Sequence, residues 1–192
     1  GRGRRGRGHG AGVVGHGRGR SGILGGRLHL ADRDRRLLRL VVADLDAVSE
    51  ASLALLPVID FPLVSRSFAE QLGMDGRVRS GLRRLVEAGA RMAVATLGDR
   101  GCLAREGDRE IAAPGFALTP RDTTGAGDVF HAGFAAGLLD GLAGPDLLRF
   151  ANAAAALSCR GLGAQGGLPT RAELDAFLRR HEPAAWRDPD SR

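Results

Sequence analysis

The stretch Asp122-Thr123-Thr124-Gly125-Ala126-Gly127-Asp128, running into Val129-Phe130-His131-Ala132-Gly133-Phe134, decides how the rest of the chain is read. Gly125 to Gly127 carry little or no side chain, so their backbone N–H groups can approach a ligand closely. Phe130, Phe134 and Leu138 then recur at i, i+4 and i+8 with small residues between them, the pattern of a packed helix. The bare N–H groups therefore fall at a helix N-terminus, where unpaired donors and the positive end of the dipole favour an anion. Asp128 sits inside that first turn. A phosphate cradle beside a carboxylate points to phosphoryl transfer to a hydroxyl. The same residues have a plainer reading. An acid in a first turn stabilises a helix by roughly 0.3–1 kcal/mol, and Gly-Ala-Gly also suits a helix packed close to its neighbour. Spacing alone leaves both readings open. The stretch is not a P-loop, which needs GxxxxGK[ST], because the chain has no lysine.

Outward from this stretch, strands alternate with helices. Leu38 to Asp44 reads as a buried strand ending in an acid, and Ala47 to Leu56 as a short helix stopped at Pro57. Phe61 to Ser65 is a second strand, with Pro62 confining it to a strand start or an edge. Phe68 to Leu72 is a short helix, and Val78 to Ala88 an amphipathic one with Leu82, Leu85 and Val86 on one face. Arg91 to Leu97 predicts a third strand, and Cys102 to Ala112 a hairpin turning at Glu106-Gly107-Asp108. Phe116 to Thr119 reads as a short strand leading into the opening stretch. Beyond it, Pro145 starts a helix with Leu148, Ala151, Ala155 and Ser158 on one stripe. A Gly-rich loop, Gly161 to Gly167, follows, and Thr170 with Glu173 forms a capping box for a last helix. The tail after His181, residues 183–192, is expected to fray. This alternation predicts an α/β layered fold with a largely parallel sheet.

Charge separates the chain into two parts. All 28 basic residues of the 192 are Arg, and the net charge is +6. Residues 1–36 hold ten Arg, two Asp and twelve Gly, a net +8, whereas the other 156 residues hold eighteen Arg and twenty acids, a net −2. A Gly/Arg-rich segment with almost no apolar periodicity cannot offset its ordering entropy, so residues 1–36 are expected to lack fixed structure. An RG-type nucleic-acid arm and a non-native segment are the other readings of it. It lacks the aromatics that stack on bases, and the body has no basic excess, so nucleic acid is not the expected partner. His9, His16 and His29 have no carboxylate or Cys constellation and are read as solvated. Cys102 and Cys159 form no metal-type motif and read as small hydrophobes in a reduced, cytoplasmic chain. No apolar run reaches the roughly 18 residues of a membrane span, and no secretory h-region is seen.

As a whole string, DTTGAGD followed by an aromatic and a small-residue helix resembles the signature of the ribokinase-like (PfkB) family of carbohydrate kinases. The resemblance covers about residues 40–180, the family's C-terminal, nucleotide-binding half, with residues 37–182 taken as the domain. It implies a three-layer α/β/α fold with a largely parallel sheet, N-terminally truncated. It also implies ATP-dependent phosphorylation of a sugar or sugar-like hydroxyl, with Asp128 as catalytic base and Gly125, Ala126 and Gly127 as anion hole. Thr96-Leu97-Gly98-Asp99-Arg100-Gly101 looks like the family's TLGxxG loop, which makes Thr96, Gly98 and Gly101 ATP-binding, although a Gly-bounded turn is the commoner meaning of such a string. Asn152, in Phe150-Ala151-Asn152-Ala153-Ala154-Ala155-Ala156, matches the helix beside the adenine, and a tightly packed Ala-rich helix fits the string equally. Asp122 and Thr124, with Ser158, Gly161, Gly163 and Gly167, match a pair of loops that holds a monovalent cation, K⁺, in some members.

Two departures stand out. Where many members carry Asn-x-x-Glu, which organises Mg²⁺ and phosphate, this chain reads Ser65-Arg66-Ser67-Phe68, with Glu70 two residues off. Mg²⁺–ATP remains the expected form, because the ion neutralises phosphate charge. The second departure is at the front. The family's N-terminal half supplies most sugar contacts, and Gly25-Gly26 does not resemble its Gly-Gly motif. The expected partners are thus ATP and a small sugar-like molecule, with an open sheet edge that invites a homodimer, and this polypeptide alone is open to being inactive. A nucleoside kinase is the near alternative. A non-catalytic nucleotide- or nucleic-acid-binding protein is the distant one.

Overall fold

A computed structural model describes residues 40–191. The expectations for residues 1–36, for His9, His16, His29 and Gly25-Gly26, and for the first strand residues before 40 lie outside the described part. Five strands form one sheet in chain order: β1 Val42–Leu45, β2 Phe61–Ser65, β3 Ala93–Thr96, β4 Gly101–Glu106 and β5 Arg109–Pro114. β1, β2 and β3 run parallel, while β4 and β5 form an antiparallel hairpin beside β3. Pro62 is the second residue of β2, opposite Ala43, so a strand flanked on both sides tolerates it at its start.

Among the described residues, seven helices cover the two faces. α1 Glu50–Leu55, α2 Arg66–Gly73 and α3 Val78–Glu87 precede β3, and α4 Ala126–Leu139, α5 Gly144–Ser158, α6 Gly163–Gly166 and α7 Arg171–Arg180 follow the hairpin. Alternate strand residues separate the faces, as the two-residue strand period requires. Val64, Ala95 and Leu103 point to a core with Phe68, Leu82 and Leu85 of α2 and α3. Leu63, Val94, Cys102 and Ala104 point to the opposite core with Phe130, Phe134, Leu147 and Leu148 of α4 and α5. The result is the expected α/β/α sandwich. α4 and α5 lie close enough that a Cβ on Gly133 would stand 3.0 Å from the Ala154 Cβ, so small residues set this spacing.

Two expectations fail. Phe116 to Thr119 is not a strand. The chain leaves the sheet at Pro114, where Gly115 N–H donates to the Arg100 carbonyl at 3.1 Å, and Phe116 stacks edge-on against Phe177 of α7 at 5.0 Å. Its apolar character serves helix packing, not strand pairing. Residues 183–191 of the tail are not frayed either. Ala184 N–H donates to the Gly115 carbonyl at 2.7 Å, Trp186 packs against the first core, and Asp190 reaches the start of α3. Trp186 brings the burial, and the Asp and Arg residues bring the partners.

Candidate active site

The opening stretch forms a loop ending in α4. Gly125 is its N-cap with φ +77°, and a Cβ there would stand 2.9 Å from the Ala164 Cβ. Only glycine meets both conditions without strain. Ala126 N–H closes a turn onto the Thr123 carbonyl at 3.1 Å, so this member of the expected anion hole is already engaged. The N–H groups of Gly127 and Asp128 have no partner among the described residues, and they stand at the positive end of a 14-residue helix. Asp128 is exposed there.

A cavity of about 250 Å³ opens beside this helix start. Thr96, Gly98, Gly101, Ala126, Gly127 and Asn152 all line it, together with Phe116, Phe130 and Ala156. Six of the residues expected around ATP thus meet on one cleft, while Gly125 and Asp128 flank it. Gly101 makes the meeting possible. At φ +94° a Cβ would stand 2.2 Å from the Ala113 carbonyl oxygen, so only a bare backbone lets β4 turn in against β5. Asn152 is buried, and its amide donates to the Ala113 and Pro114 carbonyls at 2.9 and 3.3 Å. It therefore fixes the cleft wall to the end of β5. Behind it, burial pushes the Cys102 thiol up to about 12, so that sulfur stays protonated packing material.

Asp122 ties the second loop pair together. Its Oδ1 accepts from the backbone N–H and the hydroxyl of Thr124 at 2.9 and 2.7 Å, and its Oδ2 accepts from Gly163 N–H at 2.7 Å. These hydrogen bonds, led by that of the Thr124 backbone, hold its carboxyl down at about 2. The carbonyl of Cys159 accepts from the N–H groups of Arg121 and Asp122, and that of Ser158 from Gly161 N–H at 3.2 Å. A Cβ on Gly167 would stand 1.9 Å from the Ser158 oxygen, so glycine is needed where the loop closes. The expected cation-loop residues Asp122, Thr124, Ser158, Gly161 and Gly163 are brought together as an oxygen-rich turn, the donor type that hard cations take.

Ser65 and Phe68 do other work here. Ser65 Oγ caps α2 by accepting from Phe68 N–H at 3.2 Å, Phe68 is buried in the first core, and Glu70 pairs with Arg66 at 2.6 Å.

Sequence reasoning passed over one feature. Asp44 near the end of β1 reaches His131 of α4, with Oδ2 and Nδ1 3.0 Å apart. Donor atoms of Asp44, Asp128 and His131 all lie within 4.8 Å of one another. The i, i+3 spacing of Asp128 and His131, and an acid closing a strand, were the visible signals.

Three α/β/α layers with unpaired N–H groups opening on a cleft define the class, an α/β domain able to hold an anion at a helix start. Known proteins agree and narrow it. The pfkB family carbohydrate kinase description matches residues 40–171, and the chain belongs to that family. It is 48% identical over 83 residues to the ribokinase of Bacillus subtilis (strain 168), an alignment covering 43% of this chain and 28% of that protein. A putative ribokinase from Agrobacterium tumefaciens superposes with a TM-score of 0.69 at 28% identity, covering 76% of this chain and 49% of that one. A fructokinase variant from Vibrio cholerae O395, solved with fructose, ADP and potassium ion bound, superposes with a TM-score of 0.60 at 26% identity, covering 70% of this chain and 49% of that one. The chain thus spans about half or less of the length of these relatives.

Proposed function

We propose that the chain carries the nucleotide-binding and base-bearing half of an ATP-dependent kinase that phosphorylates a sugar or sugar-like hydroxyl. The observation that carries this is the exposed Asp128 carboxylate beside the unpaired Gly127 N–H, at the edge of the cleft lined by Thr96, Gly98 and Asn152. In this reading the adenine end of ATP enters the cleft and its phosphates point to the start of α4, with Mg²⁺ arriving on the nucleotide. Asp128 accepts the proton of the acceptor hydroxyl as the oxygen attacks the γ-phosphorus in line. The bond from that phosphorus to the β,γ-bridging oxygen breaks, and ADP leaves with the electron pair. The α4 N–H groups lower the energy of the transferring group through its developing charge. The turn tied by Asp122 is read as a potassium site, on the strength of its carboxylate and neutral carbonyl oxygens. Both cysteines are buried free thiols, which suits the cytoplasm as the place of reaction.

The test is ATP turnover across a panel of pentoses, hexoses, ketoses and nucleosides. One acceptor class should stimulate it. Asp128→Asn should then lower turnover by about 10²–10⁴ while ATP affinity stays nearly unchanged. ATP binding without stimulation by any acceptor, or a fully active Asp128→Asn, overturns the reading.

A further inference from the structure

The group Asp44, Asp128 and His131 has a charge problem that the kinase reading does not use. Asp44 and Asp46 lie at the end of β1, and Asp128 faces them from the first turn of α4. Twenty-eight arginines are present in the chain, yet among the described residues no guanidinium pairs with Asp44, Asp46 or Asp128. Among the described residues, the basic group in contact is the His131 imidazole, 3.0 Å from Asp44. Two of these three carboxylates thus have no cationic partner among the described residues.

We propose that Asp44, Asp128 and His131 form a chelating site for a borderline divalent transition ion of the zinc class, which competes with the proton for the Asp128 carboxylate. Geometry and donor chemistry carry this. Zinc takes nitrogen and oxygen ligands at about 2.0–2.2 Å, so ligand atoms around one ion stand roughly 3–4.4 Å apart. The three donors already lie within 4.8 Å of one another, close to that spacing. They come from two separate elements, a strand end and a helix, so the scaffold holds them facing without an ion. One imidazole with two carboxylates selects the zinc class over Mg²⁺, which takes oxygen ligands and gives up its water reluctantly. Three protein ligands leave positions open for water or an anion. Binding of the ion rests on this geometry alone. Its consequence, loss of Asp128 as proton acceptor and so inhibition of transfer, rests on the kinase reading above.

Cobalt(II) is the probe, because its visible absorption reports ligand number and type. The full chain carrying His9→Ala, His16→Ala, His29→Ala and His181→Ala is titrated, so that imidazoles outside the site do not contribute. Expected is one equivalent of Co²⁺ in a low-coordinate spectrum, displaced by Zn²⁺ and retained in a large excess of Mg²⁺. His131→Ala and Asp44→Asn should each weaken it by about tenfold or more, since even residues that only support a ligand are worth about 10–100-fold. Thermal melts of each variant establish that it is folded, and Asp46→Asn should change affinity less than either. No binding up to millimolar Co²⁺, binding undiminished in folded His131→Ala and Asp44→Asn, or equal displacement by Mg²⁺ overturns the proposal. Co²⁺ binding without sugar-stimulated turnover leaves the ion site standing and removes the kinase reading. Turnover without Co²⁺ binding does the reverse.

Discussion

Gly125 and Gly127 flank one alanine yet face opposite constraints. Gly125 has φ +77°, where an L-residue costs about 1–2 kcal/mol, and its would-be Cβ meets Ala164. Gly127 lies within the first turn of α4 with nothing within 4 Å of its would-be Cβ. Gly125→Ala should therefore lower stability by about 1–2 kcal/mol or more, whereas Gly127→Ala should raise it by up to about 1 kcal/mol by removing unfolded-state freedom. Urea unfolding of the two variants checks the signs. Gly127→Ala should nonetheless weaken ATP binding if the cleft uses that backbone. Asp122 gives a second test at this scale. Its carboxyl is held at about 2 in the folded chain against an ordinary 3.8, so the folded state prefers the ionised form. That preference is fully present above about pH 4 and is lost as pH falls toward 2. Asp122→Asn should flatten the acid limb of the stability curve in that window and leave the neutral-to-alkaline limb parallel to the original.

At the scale of elements, α3 shows why some of the fold was legible and some was not. Leu82 and Leu85 mark its buried face in the sequence, and both are buried. Its cap does not come from its own neighbourhood. Arg77 at the N-cap offers no side-chain bond, and Asp190 supplies it instead, accepting from Val78 N–H at 2.9 Å and Arg79 N–H at 3.3 Å. A partner 112 residues away leaves no local signal, which is why residues 183–191 looked loose. Phe116 fails for a related reason, since an apolar residue between turns reads the same whether its neighbour is a strand or α7. The helix start at Gly125–Asp128 was legible because its chemistry and its conformation reside in consecutive residues. The Asp44–His131 contact was not, because it joins β1 to α4 across the sheet end. Asp190→Ala should cost about 0.5–2 kcal/mol in urea unfolding, the usual worth of an N-cap. Asp188, which bonds Arg79 through both oxygens, is held at about 2 chiefly by that guanidinium. Its contribution, screened because the side chain is 40% exposed, is present above about pH 4 and lost toward pH 2, so Asp188→Asn should act in acid in the same direction as Asp122→Asn.

Across the whole molecule, the C-terminal segment runs from the cleft to the far layer. Ala184 bonds Gly115 beside the cleft, and Arg187 pairs with Asp99 in the loop of Gly98–Arg100. Trp186 packs half-buried against the first core, the Pro189 carbonyl accepts from Arg66 of α2, and Asp188 and Asp190 hold Arg79 of α3, which also grips Glu110 of β5. One strap thus joins the cleft-lining loop of Gly98–Arg100, the hairpin and the helices of the first core. The opposite side has no such tie. β1 pairs only with β2 among the described residues, and its side chains are mostly half-exposed. Stability should therefore be graded, with the strap side high and the β1 edge low. Hydrogen exchange should find the amides of β2 and β3 slowest and those of β1 many-fold faster. A chain ending at Glu182 should lose the Trp186 burial and the Asp190 cap together, a stability loss of at least about 2 kcal/mol. Its exchange should quicken in the 98–100 loop as well as in α3, because both anchors go at once. Faster exchange in α3 alone would mean that Arg187–Asp99 and Ala184–Gly115 hold nothing. An unchanged melting temperature would mean that the segment lies on the surface without supporting it.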